Sequence, residues 1–191
     1  IHAVCSIRLC MSSGFLTQEQ LQRLKNAGIS RYHCNLEAAP SYFAEVCTTH
    51  SQKQKTDTLV AAGNVGMEIC SGGIIGMGET ERQRIELACT LRSIGVSSVP
   101  INILSPIPGT PLASRPLLGD EEILRCVALF RLILPSAYLR FAGGVARLPE
   151  DTVMRAYRAG INSAILGDML TTAGTDIEVN FDRIRRAGYE L

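Results

Sequence analysis

The stretch MEICSGGIIGMGET, residues 67–80, decides the fold class. A short apolar run ends at Cys70 and passes directly into a glycine-rich segment that closes with Glu79. Such a run is typical of a buried strand, and the glycines indicate a turn or a close approach of backbone. A turn does not explain the cysteine that stands where the strand stops.

Helix-like and strand-like segments alternate along the chain. Gly28, Gly63 and Gly95 each follow a helix-like segment, where glycine commonly ends a helix. Thr17 and Gln20 have the spacing of a capping box at the start of the first helix. Helices are predicted over 80–94, 120–134 and, at the end, about 176–187. Strands are predicted over 3–10, 30–35, 66–70, 98–103, 137–141 and 162–166.

This alternation predicts an α/β fold with parallel strands and right-handed crossovers. Since a (β/α)8 barrel usually takes about 250 residues, six units in 191 residues fit a barrel without its first two units. A complete six-stranded open sheet is the alternative. No internal segment resembles a linker, so one domain is predicted over 1–191. We expect an upstream portion, because the chain begins inside a strand-like run without a methionine.

Composition excludes several classes of protein. Hydrophobic residues make up 46% of the chain and charged residues 19%, which is typical of a compact globular protein. A net charge of +1 gives no electrostatic reason to expect nucleic acid or acidic lipid as a partner. No apolar run approaches the ~20 residues that span a bilayer. Seven scattered cysteines, an odd number, suit a reducing compartment.

Polar residues collect where the predicted strands end, which is where α/β folds bind ligands. Strand side chains alternate between faces, so His33, Asn35 and Glu37 share a face and Cys34 points away. The same count predicts that Cys5 and Cys34 pack under helices. Thiolates near an arginine favour an iron–sulfur cluster or zinc. The strand-end residues in this set are Cys10, Asn35, Glu37, Cys70, Asn102 and Arg140.

At this point the sequence resembles a known family. Four segments carry the resemblance in order along the chain: YHCNLE (32–37), CSGGIIGMGET (70–80), VPINILSPIPGTPLA (99–113) and ILPSAYLRFAGG (133–144). They are similar to biotin synthase, a radical S-adenosylmethionine (SAM) enzyme, and AGINSAILGDMLTT (159–172) extends the similarity. The resemblance implies a partial TIM-type (β/α)8 barrel of the radical SAM type, of which this chain holds strands three to eight.

The resemblance also implies a sulfurtransferase that inserts sulfur into dethiobiotin to form biotin. It implies SAM, a [4Fe–4S] cluster whose CxxxCxxC ligands lie outside this chain, and an auxiliary cluster of the [2Fe–2S] or a four-iron type that donates sulfur. Matched by position, the auxiliary cluster ligands are Cys10, Cys70 and Arg140. The SAM-binding residues are Asn35, Glu37 and Ile74, and the dethiobiotin-binding residues are Asn35 and Asn102.

Further expectations follow from the resemblance alone: a cytoplasmic homodimer, an electron-donor protein as partner, and no activity for this chain by itself. The sequence departs from the family pattern at His33, where an asparagine is usual, and at Glu37, which replaces an aspartate. It also has Val145 where an arginine is frequent. Three alternatives stay open: another radical SAM enzyme close to biotin synthase, a degenerate non-catalytic barrel fragment, and an ordinary α/β domain whose cysteines only pack.

Overall fold

The computed structural model describes residues 4–167 and 176–190. Its strands are β1 (Leu9–Met11), β2 (Ile29–His33), β3 (Glu68–Cys70), β4 (Gly73–Ile75), β5 (Ser98–Ile103) and β6 (Tyr138–Phe141). Its α-helices are α1 (Gln18–Asn26), α2 (Phe43–Val46), α3 (Gln52–Asn64), α4 (Glu81–Ser93), α5 (Asp120–Ile133), α6 (Glu150–Ala159) and α7 (Ile177–Arg186). A 3₁₀ turn, Val145–Arg147, lies between β6 and α6.

The named strands form one parallel sheet whose neighbours follow chain order. β1 pairs with β2, β2 with β3, and β6 with β5. Both β3 and β4 pair with β5, so they are two parts of one strand, interrupted at Ser71 and Gly72. Parallel neighbours joined by helices are the arrangement of a barrel wall. The predicted α/β fold, a partial (β/α)8 barrel, is confirmed.

The core lies between this sheet and the helices packed on one of its faces. Along β2 and the residues after it, Tyr32, Cys34 and Leu36 are buried in that core. His33 lies between them in sequence and is half-buried on the opposite face, as are residues 35 and 37. This alternation is the one that the sequence predicts. The face away from the helices therefore carries the polar side chains.

Helix starts are well encoded in the sequence. The predicted capping box of α1 is present: the Thr17 side chain accepts from the backbone N–H of Gln20, whose side chain accepts from the Thr17 backbone. α3 and α4 begin with the same device, at Ser51 and Thr80. Each box satisfies N–H groups that a helix start leaves unpaired. Among the described residues, no helix has the length and apolar character needed to cross a membrane.

Some local predictions are wrong. Residues 4–8 form no strand, and residues 1–3 lie outside the described residues, so the first strand is much shorter than 3–10. Cys5 is exposed and does not pack under a helix. Over 162–166 the described chain makes a single bridge, from Ser163 to Arg140.

The glycine that ends α3 is also different from the predicted one. Gly63 lies inside α3, and Gly66 takes the left-handed conformation, with φ 74°. A Cβ on Gly63 would lie 3.1 Å from the Ile69 side chain, so this glycine allows α3 to approach β3 closely. The segment AAGNVGM offers two glycines, and packing against β3 decides between them.

We predict that Gly72→Ala destabilises the protein by at least about 3 kcal/mol, measured by urea denaturation. A Cβ at this position would overlap the backbone carbonyl oxygen of Pro100 on β5, which cannot move aside without breaking the sheet. Gly95→Ala is the matched control. It has a left-handed φ of 73° but open space around it, so it costs only about 1–2 kcal/mol. Equal losses for both variants would contradict the close strand approach at Gly72.

Candidate functional site

Cys70, at the end of β3, is contacted by polar side chains from three other strands. Its side chain is 1% exposed, and Nη2 of Arg140 on β6 donates a hydrogen bond to its Sγ at 3.1 Å. Nδ1 of His33 on β2 lies 3.1 Å from the same sulfur. The Cys10 thiol on β1 also hydrogen-bonds to Cys70. Four strands therefore converge on one sulfur atom.

The pKa values of the two thiols move in opposite directions. The hydrogen bond from Cys10 contributes most to lowering the pKa of Cys70, to about 3, and the hydrogen bond to His33 and the charge of Arg140 add to this. The shared hydrogen bond and partial burial raise the pKa of Cys10. Of the two thiols, Cys70 is therefore the one whose surroundings favour the thiolate. A thiolate is the form in which cysteine binds metal.

Arg140 is fixed by a second contact that the sequence does not reveal. Its Nη1 donates a hydrogen bond to the hydroxyl of buried Ser98 on β5. The register places Ser98 directly beside Cys70 and Pro100 beside Arg140. The guanidinium therefore spans from β6 across β5 to the end of β3. A serine at the start of a strand carries no local signal of this role, because only the register brings it to the site.

The side chains around Cys70 are of the kind that bind an iron–sulfur cluster, but they are too few to hold one by themselves. Two neighbouring thiols with an arginine beside them suit a soft metal bound in an anionic cluster. Within residues 4–167 and 176–190, no three or more His, Cys, Asp and Glu side chains are grouped so as to hold a metal ion. Cys10 and Cys70 would therefore need further ligands. Arg140 and a residue outside the described chain are the candidates for them.

Asn35 and Asn102, both predicted to bind ligand, lie on either side of the split strand and hold backbone. Oδ1 of Asn35 accepts from the N–H of Gly72 at 3.0 Å. Oδ1 of Asn102 accepts from the N–H of Gly143 at 2.9 Å, and its Nδ2 donates to the carbonyl of Gly73 at 3.2 Å. Both side chains are half-exposed on the polar face. The amides are therefore rigidly positioned, and their roles in binding stay predictions.

Glu37 contacts β4 at Ile74. Glu37 has φ 67°, and its carbonyl accepts from the N–H of Ile74 at 2.8 Å. Burial raises the pKa of the Glu37 carboxyl, and the ammonium of Lys55, 3.9 Å away, opposes that shift. The Ile74 side chain is half-buried against a small apolar cluster that includes Met77. Sequence reasoning missed Lys55, because nothing local shows which face of α3 meets the end of β2.

Glu79 fixes the glycine-rich turn after β4. Its carboxylate accepts from the backbone N–H groups of residues 76–78, at 2.7 to 3.1 Å. Nε of Arg84 donates to the same carboxylate at 2.6 Å, and both side chains are 5% exposed. Arg84 also donates to Glu122 on α5 at 2.7 Å. The glutamate that closes the opening stretch is thus an anchor for the turn, a role that sequence reasoning did not assign.

Residues 3–91 match the model of the radical SAM superfamily, and residues 100–190 match the Biotin and Thiamin Synthesis associated domain. The chain is 51% identical over 185 residues to a biotin synthase of Parabacteroides distasonis, and 53% identical over 185 residues to one of Porphyromonas gingivalis. The chain therefore has the fold of the radical SAM superfamily. Within that superfamily it belongs to the biotin synthase family.

The chain corresponds to only part of each of these relatives. The match covers 97% of this chain and 57% of the Parabacteroides protein, and 97% and 56% for the Porphyromonas protein. The chain thus spans little more than half the length of these relatives. The hydrogenase maturase HydG has a TM-score of 0.76 at 17% identity, covering 95% of this chain and 44% of its own. Methylornithine synthase PylB has 0.77 at 16%, covering 96% and 58%. These two show the barrel fold alone.

We predict that Glu79→Gln lowers the free energy of unfolding by about 3 kcal/mol, because it removes the buried charged partner of Arg84 and leaves only the half-exposed Glu122 to pair with that guanidinium. Urea denaturation measures the loss. Glu122→Gln is the matched control. Its side chain is 44% exposed and contacts the same guanidinium, so its loss should stay below about 1 kcal/mol. If Glu122→Gln cost as much as Glu79→Gln, the buried pair would not be the anchor of the turn.

Proposed function

We propose that the protein to which this chain belongs is a biotin synthase, a radical SAM sulfurtransferase that inserts sulfur into dethiobiotin to form biotin. The observation that carries the proposal is the convergence of Cys10, His33 and Arg140 on the Cys70 sulfur. Family membership at about 50% identity supports it. The distant relation to HydG and PylB gives no reason to prefer the alternative radical SAM activities.

Cys10 and Cys70 are proposed as thiolate ligands of the auxiliary cluster. Arg140 is proposed as an additional ligand that also balances the negative charge of thiolates and sulfides. Because the Ser98 hydroxyl and the Cys70 sulfur both accept hydrogen bonds from its guanidinium, Arg140 is held beside the proposed cysteine ligand. When bound, SAM and the two clusters supply the radical and the sulfur. The auxiliary cluster is of the [2Fe–2S] or a four-iron type, and ligands of the [4Fe–4S] cluster are expected in sequence outside this chain.

Asn35, Glu37 and Ile74 are proposed to bind SAM. A carboxylate can accept hydrogen bonds from both hydroxyls of a ribose, and Ile74 offers an apolar surface to the adenine. Glu37 must be ionised for this role. Burial works against ionisation, and the Lys55 ammonium 3.9 Å away favours it. The carbonyl of Glu37 holds the Ile74 backbone, which couples the positions of the two residues.

Asn102, together with Asn35, is proposed to bind dethiobiotin. An amide carries both a donor and an acceptor, so it can pair with the donor and acceptor of a ureido group. The backbone contacts of both asparagines to Gly72, Gly73 and Gly143 fix the direction of their amides. Asn35 contacts Gly72, two residues after Cys70, and Asn102 lies beside Ile74, so such a substrate would lie close to both the proposed cluster ligand and the proposed SAM-binding residues. A barrel interior also excludes water, which radical chemistry requires.

The proposed partners are an electron-donor protein and a second copy of the protein in a homodimer, and the proposed compartment is the cytoplasm. These proposals rest on the family alone. A reduced cytoplasm agrees with seven cysteines and no framework of disulfides.

Cys70→Ala tests the sulfur-donor site. In the full-length, anaerobically reconstituted protein, this variant should lose the auxiliary cluster and more than about 95% of biotin formation, since it removes a ligand and the partner of Arg140. Cleavage of SAM to 5′-deoxyadenosine should persist in part. Iron and sulfide analysis, visible absorption and product assay measure these outcomes. Cys89→Ala, at an exposed position on α4, is the matched control and should keep the auxiliary iron. Unchanged iron and biotin in Cys70→Ala would contradict the assignment.

Arg140→Met tests whether Arg140 adjusts the properties of the auxiliary cluster or is needed to bind its iron. Methionine keeps much of the side-chain volume and removes the donors to Cys70 and Ser98. We expect the variant to fold and to retain most of the auxiliary iron, with a shifted visible spectrum or a cluster that is lost faster in air. A spectrum and a loss rate identical to those of the unmodified protein would show that Arg140 does not contact the cluster.

A further inference from the structure

A second thiol–imidazole pair lies in the loop between α2 and α3, away from Cys70. Sγ of Cys47 is 3.6 Å from both Nδ1 and Nε2 of His50. The hydroxyl of Thr49 lies 3.6 Å from the same sulfur and 2.9 Å from Nδ1 of His50. Three side chains that can donate or accept hydrogen bonds are therefore in mutual contact. The proposed reaction with dethiobiotin uses none of them.

The imidazole of this pair is held in place by aromatic rings. The ring of Phe15 packs edge-on against His50 at 5.0 Å between centroids, and the ring of Phe43 lies at 5.7 Å. Cys47 packs against the apolar cluster that contains Phe43. These contacts come from two parts of the chain outside the loop, so the geometry of the pair does not depend on the loop alone.

The charges around the pair favour a thiolate. The hydrogen bond from Thr49 contributes most to lowering the pKa of Cys47, and the positive charge of Lys55 on α3 adds to this. The carboxylate of Glu37, which faces Lys55, also interacts with the charge of His50. Cys126 shows the contrast: burial raises its pKa to about 12, so that thiol stays protonated and unreactive.

An open cavity lies beside the sulfur. It has a volume of about 430 Å³ and reaches the solvent, and Cys47 is itself half-exposed. Both polar and apolar residues line it, so a small peptide-like thiol would find both kinds of contact. The residues that line it include Pro40, Phe43, Ala44, Cys47, Thr48 and His50.

We propose that Cys47 is a site of thiol–disulfide exchange with a low-molecular-weight disulfide, with His50 as the proton acceptor and the cavity as the place of the adduct. The Cys47 proton passes to the imidazole, and the sulfur attacks one sulfur of the disulfide, RSSR. The new bond joins Sγ of Cys47 to SR, the S–S bond of RSSR breaks, and the leaving thiolate takes up the proton from His50. The products are the mixed disulfide and RSH, so the small disulfide is the oxidant and no other co-reactant is needed.

The test compares two cysteines of the same protein. The full-length protein is treated with oxidised glutathione at pH 7 without oxygen, and the initial rate of modification at each cysteine is followed by peptide mass spectrometry. Cys89 is the internal reference, because it is the more exposed thiol. We expect Cys47 to react at least about tenfold faster than Cys89, and the ratio to fall to about one in concentrated urea. Equal rates in the folded protein, or a ratio that persists in urea, would overturn the proposal.

Substitutions at His50 and Thr49 test which side chains make Cys47 reactive. His50→Asn should lower the rate at Cys47 about tenfold and leave the rate at Cys89 unchanged. Thr49→Val removes the hydroxyl without touching the aromatic contacts and should lower the rate at Cys47, and Thr49→Ser should restore it. Circular dichroism checks that each variant is folded. If His50→Asn does not fold, the Thr49 pair decides: equal rates in Thr49→Val and Thr49→Ser would overturn the proposed mechanism.

Discussion

The contact between the Cys70 sulfur and the Arg140 guanidinium is the interaction on which the polar face of the sheet depends. A half-buried guanidinium would be costly without a partner, and the Cys70 sulfur, which is 1% exposed, accepts a hydrogen bond from it. The contact crosses β5 and is fixed there by Ser98. It therefore requires β3, β5 and β6 to keep the register that places these residues side by side. Cys10 and His33 then complete the arrangement from β1 and β2.

The split of one strand into β3 and β4 gives this face a second feature. At the break, Gly72 lies against the backbone of β5, and Asn35 accepts a hydrogen bond from its N–H. After β4, the Glu79 carboxylate, paired with Arg84, holds the backbone of the turn. Between Cys70 and Glu79, hydrogen bonds thus fix both the break in the strand and the turn that follows β4. Such a segment can present backbone to a ligand without rearranging, which reduces the entropic cost of binding.

Sequence reasoning succeeded where a single element carries its own signal. The strand 98–103 and the start of α4 at Thr80 were predicted at their observed positions, because burial pattern and capping are local. The alternation of His33 with its buried neighbours followed from strand geometry alone. Ser98 and Lys55 were missed because their roles depend on register and on helix orientation, which the spacing of residues along the chain does not encode. Whether α3 ended at Gly63 or Gly66 depended on packing in the same way.

Iron-edge anomalous diffraction from crystals of the anaerobically reconstituted, full-length protein tests the central claim most directly. The claim is that Cys10, Cys70 and Arg140 form one side of an iron–sulfur site. The account predicts anomalous iron peaks beside the Cys70 sulfur at the Fe–S bonding distance, about 2.3 Å as for other thiolate–metal bonds, with Cys10 bound to the same cluster. Iron located only at cysteines outside this chain, with the Cys70–Arg140 contact intact and no anomalous peak beside it, would contradict the account.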